Sequence, residues 1–285
     1  MRVLSRGVRS WRPVVEFFES SPAASAPWEL RAPILALRAF NVETALIGDH
    51  AKSEMLVLTR CQWWRDAVNA CYKGNPPDQP VARALYEVLQ QRPLTRYRLQ
   101  RMITTREEDL TSKEPPASMR ALEEYGEGTV GQLLLLQLEA AGLEGPEAEE
   151  AALHLGKAVG IANLLRGTRY HAEKGMVYLP RDQCGLAGVD ARDILRNKDS
   201  QALREVTRAV AADAKLHLEE ARSLAGQLPP TARQLLLPAV GADMYLQALL
   251  AKDCNLLDQD LLAGRAYSRL AYQLRLKWHQ LRGSY

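Results

Sequence analysis

Residues 163–180 read NLLRGTRYHAEKGMVYLP, and the reading of this stretch decides the reading of the chain. It continues the helical pattern of LGKAVGIA, which sets Asn163, Gly167 and His171 four apart on one inward face. Leu155, Val159, Ala162 and Leu165 recur at three and four spacing on the other face, as in a packed stripe. Gly175 stops the helix, and Val177-Tyr178-Leu179-Pro180 follows as an extended turn.

Outward from here the same period continues. Residues 34–73 carry it without interruption until GNPPDQP closes the segment. Further helices are expected near 80–91, 93–112, 117–142 and 147–172, and then near 199–226, 231–251 and 264–282. Alternating β-branched runs are nearly absent, so no strand is predicted. The chain reads as all-α, a single-domain helical bundle over 34–285.

Composition fits a packed domain. A chain of 285 residues, 47% hydrophobic and 25% charged, can bury a large core. A net charge of +3 is too mild to point to nucleic acid. Cys61, Cys71, Cys184 and Cys254 are scattered, with no CxxC and no histidine at zinc-finger spacing. That argues against structural zinc and a disulfide framework, and for a reducing compartment. No apolar run is longer than the four residues of 133–136, far below the roughly 20 residues that span a bilayer.

Residues 1–33 differ. MRVLSRGVRSWRPVV sets Arg2, Arg6, Arg9 and Arg12 among apolar residues with no acid, the composition of a mitochondrial targeting segment or of a plain basic terminus. ESSPAASAPWELRAP, residues 19–33, follows as a linker rich in Ser, Pro and Ala.

Asn163 and Arg166, with Gly175, Val177, Tyr178, Leu179 and Pro180, resemble the second signature of the squalene/phytoene synthase family, N-x-x-R-D-x-x-x-D then G-R-x-Y-L-P. Gly167 and His171 stand at the two aspartates of that signature, and Met176 at its second arginine. ALRAFNVETALIGD, residues 36–49, resembles the first signature, with Ala45 at one aspartate position and Asp49 at the other. Within the family, the chain is similar to a mitochondrial, non-enzymatic branch concerned with assembly of respiratory complex I. ALRAFNVE (36–43), NPPDQPVA (75–82), KAVGIANLLRGTRYH (157–171) and a Trp-containing terminus ending in Tyr285 carry that likeness. The branch's Leu-Pro-x-x-x-Arg segment is missing before residue 34.

The resemblance implies an isoprenoid-synthase-like bundle that has kept one carboxylate, Asp49, of four that would hold a diphosphate through magnesium. Mg²⁺ demands oxygen ligands in near-octahedral geometry, and Gly and Ala offer none. Imidazole suits softer cations. Glu43 and Glu173 lie two residues from Ala45 and His171, about 200° around their helices, and face away. Glu107-Glu108-Asp109 is a further acidic group. No residue is therefore expected to be catalytic, cofactor-binding or metal-ligating, and no cofactor is expected.

His50, His154, His217 and His279 share no spacing and are expected in solvent, and His171 is read as a basic group at a helix C-terminus. Trp63-Trp64 reads as packing. Residues 92–106 hold five arginines and no acid. After Asp260 there is no acid, while Arg265, Arg269, Arg275, Lys277 and Arg282 accumulate. There Tyr267, Leu270, Ala271, Leu274, Trp278 and Leu281 form one stripe. Such a stripe either docks the last helix, burying Leu274, or lies on an anionic membrane surface.

The resemblance implies a catalytically inactive protein of complex I assembly, on the matrix side of the mitochondrion and peripheral on the inner membrane. Its implied partners are complex I subunits or other assembly factors, with no nucleic acid. Two alternatives stay open: an active isoprenyl diphosphate synthase of squalene/phytoene type, and an isoprenoid- or lipid-binding module.

Overall fold

Alanine and glycine recur through Pro146–Arg166, and this helix is buried on almost every side, from Ala148 to Leu165. The computed structural model describes residues 27–285 apart from Lys52 and Lys113, so the basic segment and most of the linker read at 1–33 lie outside it. In chain order come α1 (Trp28–Ala45), α2 (Ile47–His50), α3 (Glu54–Tyr72), α4 (Pro80–Gln91), α5 (Arg96–Thr111) and α6 (Met119–Gly126). A π-helical turn (Glu127–Gly131) leads into α7 (Gln132–Ala140), then α8 (Pro146–Arg166), α9 (Thr168–Glu173) and α10 (Arg181–Leu186). After a 3₁₀ turn (Ala191–Arg196) follow α11 (Gln201–Ser223), α12 (Pro230–Leu235), α13 (Pro238–Ala251), α14 (Gln259–Leu262) and α15 (Arg269–Arg282). No strand occurs among the described residues, as the sequence predicts.

The centre is tight because two glycines of α8 meet Gly131 of the π turn and Gly126 at the end of α6. A Cβ on Gly156 would lie 2.3 Å from the Gly131 Cα, and one on Gly160 would lie 2.4 Å from the Gly126 Cα. Neither position has room for a methyl group, so backbone packs on backbone there.

The run of leucines at 133–136 has a similar cause. Leu133 and Leu136 join a core cluster with α1, α3, α4 and α5, while Leu134, Leu135 and Leu138 join the larger cluster around α8, α11 and α13. Helix α7 lies between two cores and is apolar on both faces.

Several boundaries differ from the sequence reading. The segment read as one helix over 34–73 is three, because it breaks at Leu46 and because the chain extends at Ala51 and Ser53, whose Oγ caps α3 by accepting the Leu56 N–H at 3.4 Å. The helix read over 147–172 ends at Arg166, and Gly167 separates it from α9. Trp63-Trp64 does pack as read: Trp64 is buried edge-on to Phe40, and Trp63 is half-exposed.

Two expectations fail. The stripe does not bury Leu274: Leu270, Leu274, Trp278 and Leu281 are exposed, Leu274 at 61%, while Tyr267 and Ala271 pack half-buried against the core and Leu276 is the buried residue of α15. Amphipathicity fixes which face is apolar, not whether anything covers it. The histidines do not all stand apart in solvent either, since His154 of α8 and His217 of α11 meet at 2.9 Å between their Nδ1 atoms.

Candidate functional site

The two stretches that resemble the family signatures come together. Helices α1 and α2 carry Asn41, Thr44, Ala45 and Asp49 to one side of a cleft, and α9 with the loop behind it carries Tyr170, His171, Lys174, Met176 and Tyr178 to the other. The floor is α5, with Arg106 and Asp109.

Asp49 is tied to one of the protein's own cations across the cleft. One of its carboxylate oxygens accepts from both the Lys174 ammonium and the Tyr170 hydroxyl. Lys174 Nζ also lies 4.2 Å from the centre of the Tyr170 ring. Burial pushes the Asp49 carboxyl up, but the hydrogen bonds from Lys174 and Tyr170 outweigh it and hold the group below its ordinary value.

His171 lies over Gly167, whose Cβ, if present, would fall 2.6 Å from the imidazole Nε2. The ring packs edge-on against Tyr178 and Tyr170, with centroids 4.6 and 5.2 Å away. Burial, with the Lys174 charge, lowers it to about 4. The sequence reading of a basic helix-end group is thus corrected: His171 is neutral near pH 7 and works as an aromatic wall. Asn163, read as inward-facing, is exposed and accepts from Arg166 at 2.8 Å.

Sequence reasoning missed the floor. Arg106 is buried, and its guanidinium donates to Thr44 Oγ1 and, at 2.6 Å, to Asn41 Oδ1. Asp109 accepts from the Tyr178 hydroxyl at 2.9 Å, and burial pushes its carboxyl up to about 6. A signal was present: Leu99, Met102, Arg106 and Asp109 keep three-and-four spacing, so a charged pair continues a buried stripe. Within the arginine-rich stretch 92–106, Arg106 is thus buried, and Arg98 pairs with Glu139 at 2.8 Å.

Beside the cleft lies a cavity of about 240 Å³, lined by Arg101, Thr105, Asp109, Tyr125, Met176 and Tyr178 among others. The side chains do not fit a magnesium cluster. The cleft offers Asp49, already neutralised by Lys174, and Asp109, held by Tyr178, with Ala45, Gly167 and neutral His171 between them.

A family model, squalene/phytoene synthase, matches residues 22–275. The chain belongs to the squalene/phytoene synthase family. As a member of that family it shares 39% identity over 235 residues with NADH dehydrogenase (ubiquinone) complex I, assembly factor 6, of Mus musculus, covering 82% of this chain and 70% of that one. The protein of the same name in Homo sapiens is 37% identical over 235 residues, with the same coverage. Among solved structures, a squalene synthase from Alicyclobacillus acidocaldarius superposes with a TM-score of 0.78 at 21% identity, over 89% of this chain and 94% of that one. At that identity the likeness establishes the family's all-α isoprenoid-synthase fold.

Proposed function

We propose that this chain is a catalytically inactive, prenyl-synthase-like protein that acts in the assembly of mitochondrial respiratory complex I. The observation that carries the reading is the Asp49 carboxylate bound by Lys174 and Tyr170, in a chain 39% identical to an assembly factor. A site that separates diphosphate from an allylic carbon needs metal ions to neutralise the leaving charge. Here a fixed ammonium sits against the carboxylate, and it cannot serve as an octahedral metal cluster does.

The proposal includes import into mitochondria through residues 1–33, a folded domain over 34–285, and matrix-side contact with the inner membrane. The exposed stripe of Leu270, Leu274, Trp278 and Leu281 on α15 supports the membrane contact. Arg282 lies 4.4 Å over the Trp278 ring, and Arg275 and Lys277 are close by, so apolar and cationic groups share one exposed helix. The partners in this reading are complex I subunits or other assembly factors. Deleting the gene and measuring assembled complex I tests it: loss of complex I with other respiratory complexes intact is expected, and unchanged complex I overturns it.

A further inference from the structure

Three helices gather a second polar cluster far from Asp49. His154 lies about 20 Å along α8 from Gly167, at 1.5 Å per residue. Beside it, His217 of α11 stands one turn after Asp213, and Glu123 projects from α6. His217 Nδ1 is 2.9 Å from His154 Nδ1. Its Nε2 points the other way, 3.7 Å from Glu123 Oε2 and 4.0 Å from Asp213 Oδ2. The ligand atoms of Glu123, Asp213 and His217 all lie within 4.8 Å of one another.

Hydrogen bonding does not account for this spacing. An N–H···O bond spans roughly 2.7–3.2 Å, and both Nε2 separations are longer. Asp213 Oδ2 is buried and has no hydrogen-bond partner. A tetrahedral ion with bonds of about 2.1 Å holds its donors roughly 3.4 Å apart, so a slight contraction would seat one. The contact between the two histidines requires that one Nδ1 donate to the other. When His217 donates, its Nε2 lone pair faces two carboxylates, which is repulsive when nothing lies between them and is the tautomer that a metal-bound imidazole adopts. Lys157 lies 3.9 Å from the same Glu123 oxygen, but it is nearer Glu127, at 3.4 Å, and keeps that partner when a cation takes Glu123.

We propose that Glu123, Asp213 and His217 bind one divalent transition-metal ion of the zinc class, with His154 orienting the His217 ring and water completing the coordination. One imidazole and two carboxylates suit zinc, and the nitrogen donor disfavours magnesium. The ion ties α6 to α11 across α8. The sequence concealed the site because its ligands come from positions 123, 213 and 217 on separate helices, without the short spacings of a zinc finger. The site is independent of the function proposed above.

Calorimetric titration of the purified, chelator-treated full chain with Zn²⁺ tests it. One ion per chain is expected. His154→Phe should weaken binding about 10–100-fold, and His217→Gln or Asp213→Asn at least as much. His50→Gln, at an exposed position elsewhere, should change nothing. Co²⁺ probes the unmutated chain, so a variant that fails to fold does not leave the question open. Visible bands of a low-coordinate nitrogen and oxygen site should saturate at one equivalent and vanish when Zn²⁺ is added. Absence of those bands, or stoichiometric Zn²⁺ binding that persists in folded His217→Gln, overturns the proposal.

Discussion

Lys174, directly after α9, bonds to Asp49 of α2 across the cleft, on the same oxygen that accepts the Tyr170 hydroxyl. That bond joins α2 to the end of α9 through the protein's own charges. The pair is partly exposed, so it is worth little energetically, roughly 0–1 kcal/mol. Its consequence is chemical rather than structural.

The first prediction is that the chain shows no Mg²⁺-dependent affinity for prenyl diphosphates. Calorimetry with farnesyl diphosphate should give no saturable heat with or without Mg²⁺. Asp replacements at Gly167 and His171 together should not restore turnover, because Ala45 and Met176 are unchanged and Lys174 still holds Asp49. Micromolar, Mg²⁺-dependent binding by the unmodified chain would reject this prediction.

The second concerns packing. Leu165 is 2% exposed, and Leu165→Ala should cost about 2–5 kcal/mol. Leu274→Ala should cost within about 0.5 kcal/mol, because its side chain faces solvent. Chemical denaturation of both variants decides it; equal losses would mean that α15 is covered in solution.

Gly156→Ala gives a third test. Its Cβ would meet the Gly131 Cα at 2.3 Å, backbone against backbone, with no flexible side chain to move aside. The loss should be about 1–3 kcal/mol or more, and thermal unfolding should fall by about 2–4 °C for each kcal/mol. An unchanged midpoint would rule out the close approach of α8 to the π turn.

These three tests mark what was legible in the sequence. Helical periodicity revealed the class, because three-and-four spacing is a direct image of a buried stripe, as at Leu155, Val159, Ala162 and Leu165, all buried. It did not reveal the break at Ser53, where a single cap interrupts an otherwise continuous pattern. Leu274 was misplaced because an apolar face looks the same whether covered or bare. Arg106 and Asp109 were legible as a continuation of a buried stripe. The meeting of His154 with His217 was not, since only the packing of α8 on α11 joins residues that far apart in the chain.

The fourth prediction is a pH dependence of stability with two opposed parts. Burial lowers His171 to about 4. Its contribution is therefore full above the unfolded value of about 6.5 and is lost as pH falls through the folded value. Burial pushes Asp109 up to about 6, so the fold favours its protonated form. That contribution is full below the unfolded value of about 3.9 and is lost as pH rises through the folded one. Relative to the parent, His171→Phe should lose less stability between pH 6.5 and 4, and Asp109→Asn should gain most above pH 6. Urea titrations across that range check both, and parallel pH profiles for parent and variants would refute the burial of these groups.

The fifth prediction concerns the exposed helix. Binding to vesicles containing anionic phospholipid should fall roughly tenfold or more in the Leu274→Ser, Trp278→Ser double variant, since each buried apolar side chain contributes about 1.5–3 kcal/mol. The folded state should persist, because Leu276 makes the buried contact of α15. Equal sedimentation of parent and variant with vesicles would leave this helix without a membrane role.

The most direct test of the central claim is the level of assembled complex I in cells that lack this protein and are rescued with the Asp49→Ala, Asp109→Asn chain. That variant loses both carboxylates of the cleft while keeping the core intact. On this account it accumulates normally and restores complex I to the level given by the unmodified chain. A stable, abundant variant that fails to restore complex I would mean that the cleft still performs chemistry, and would contradict the account.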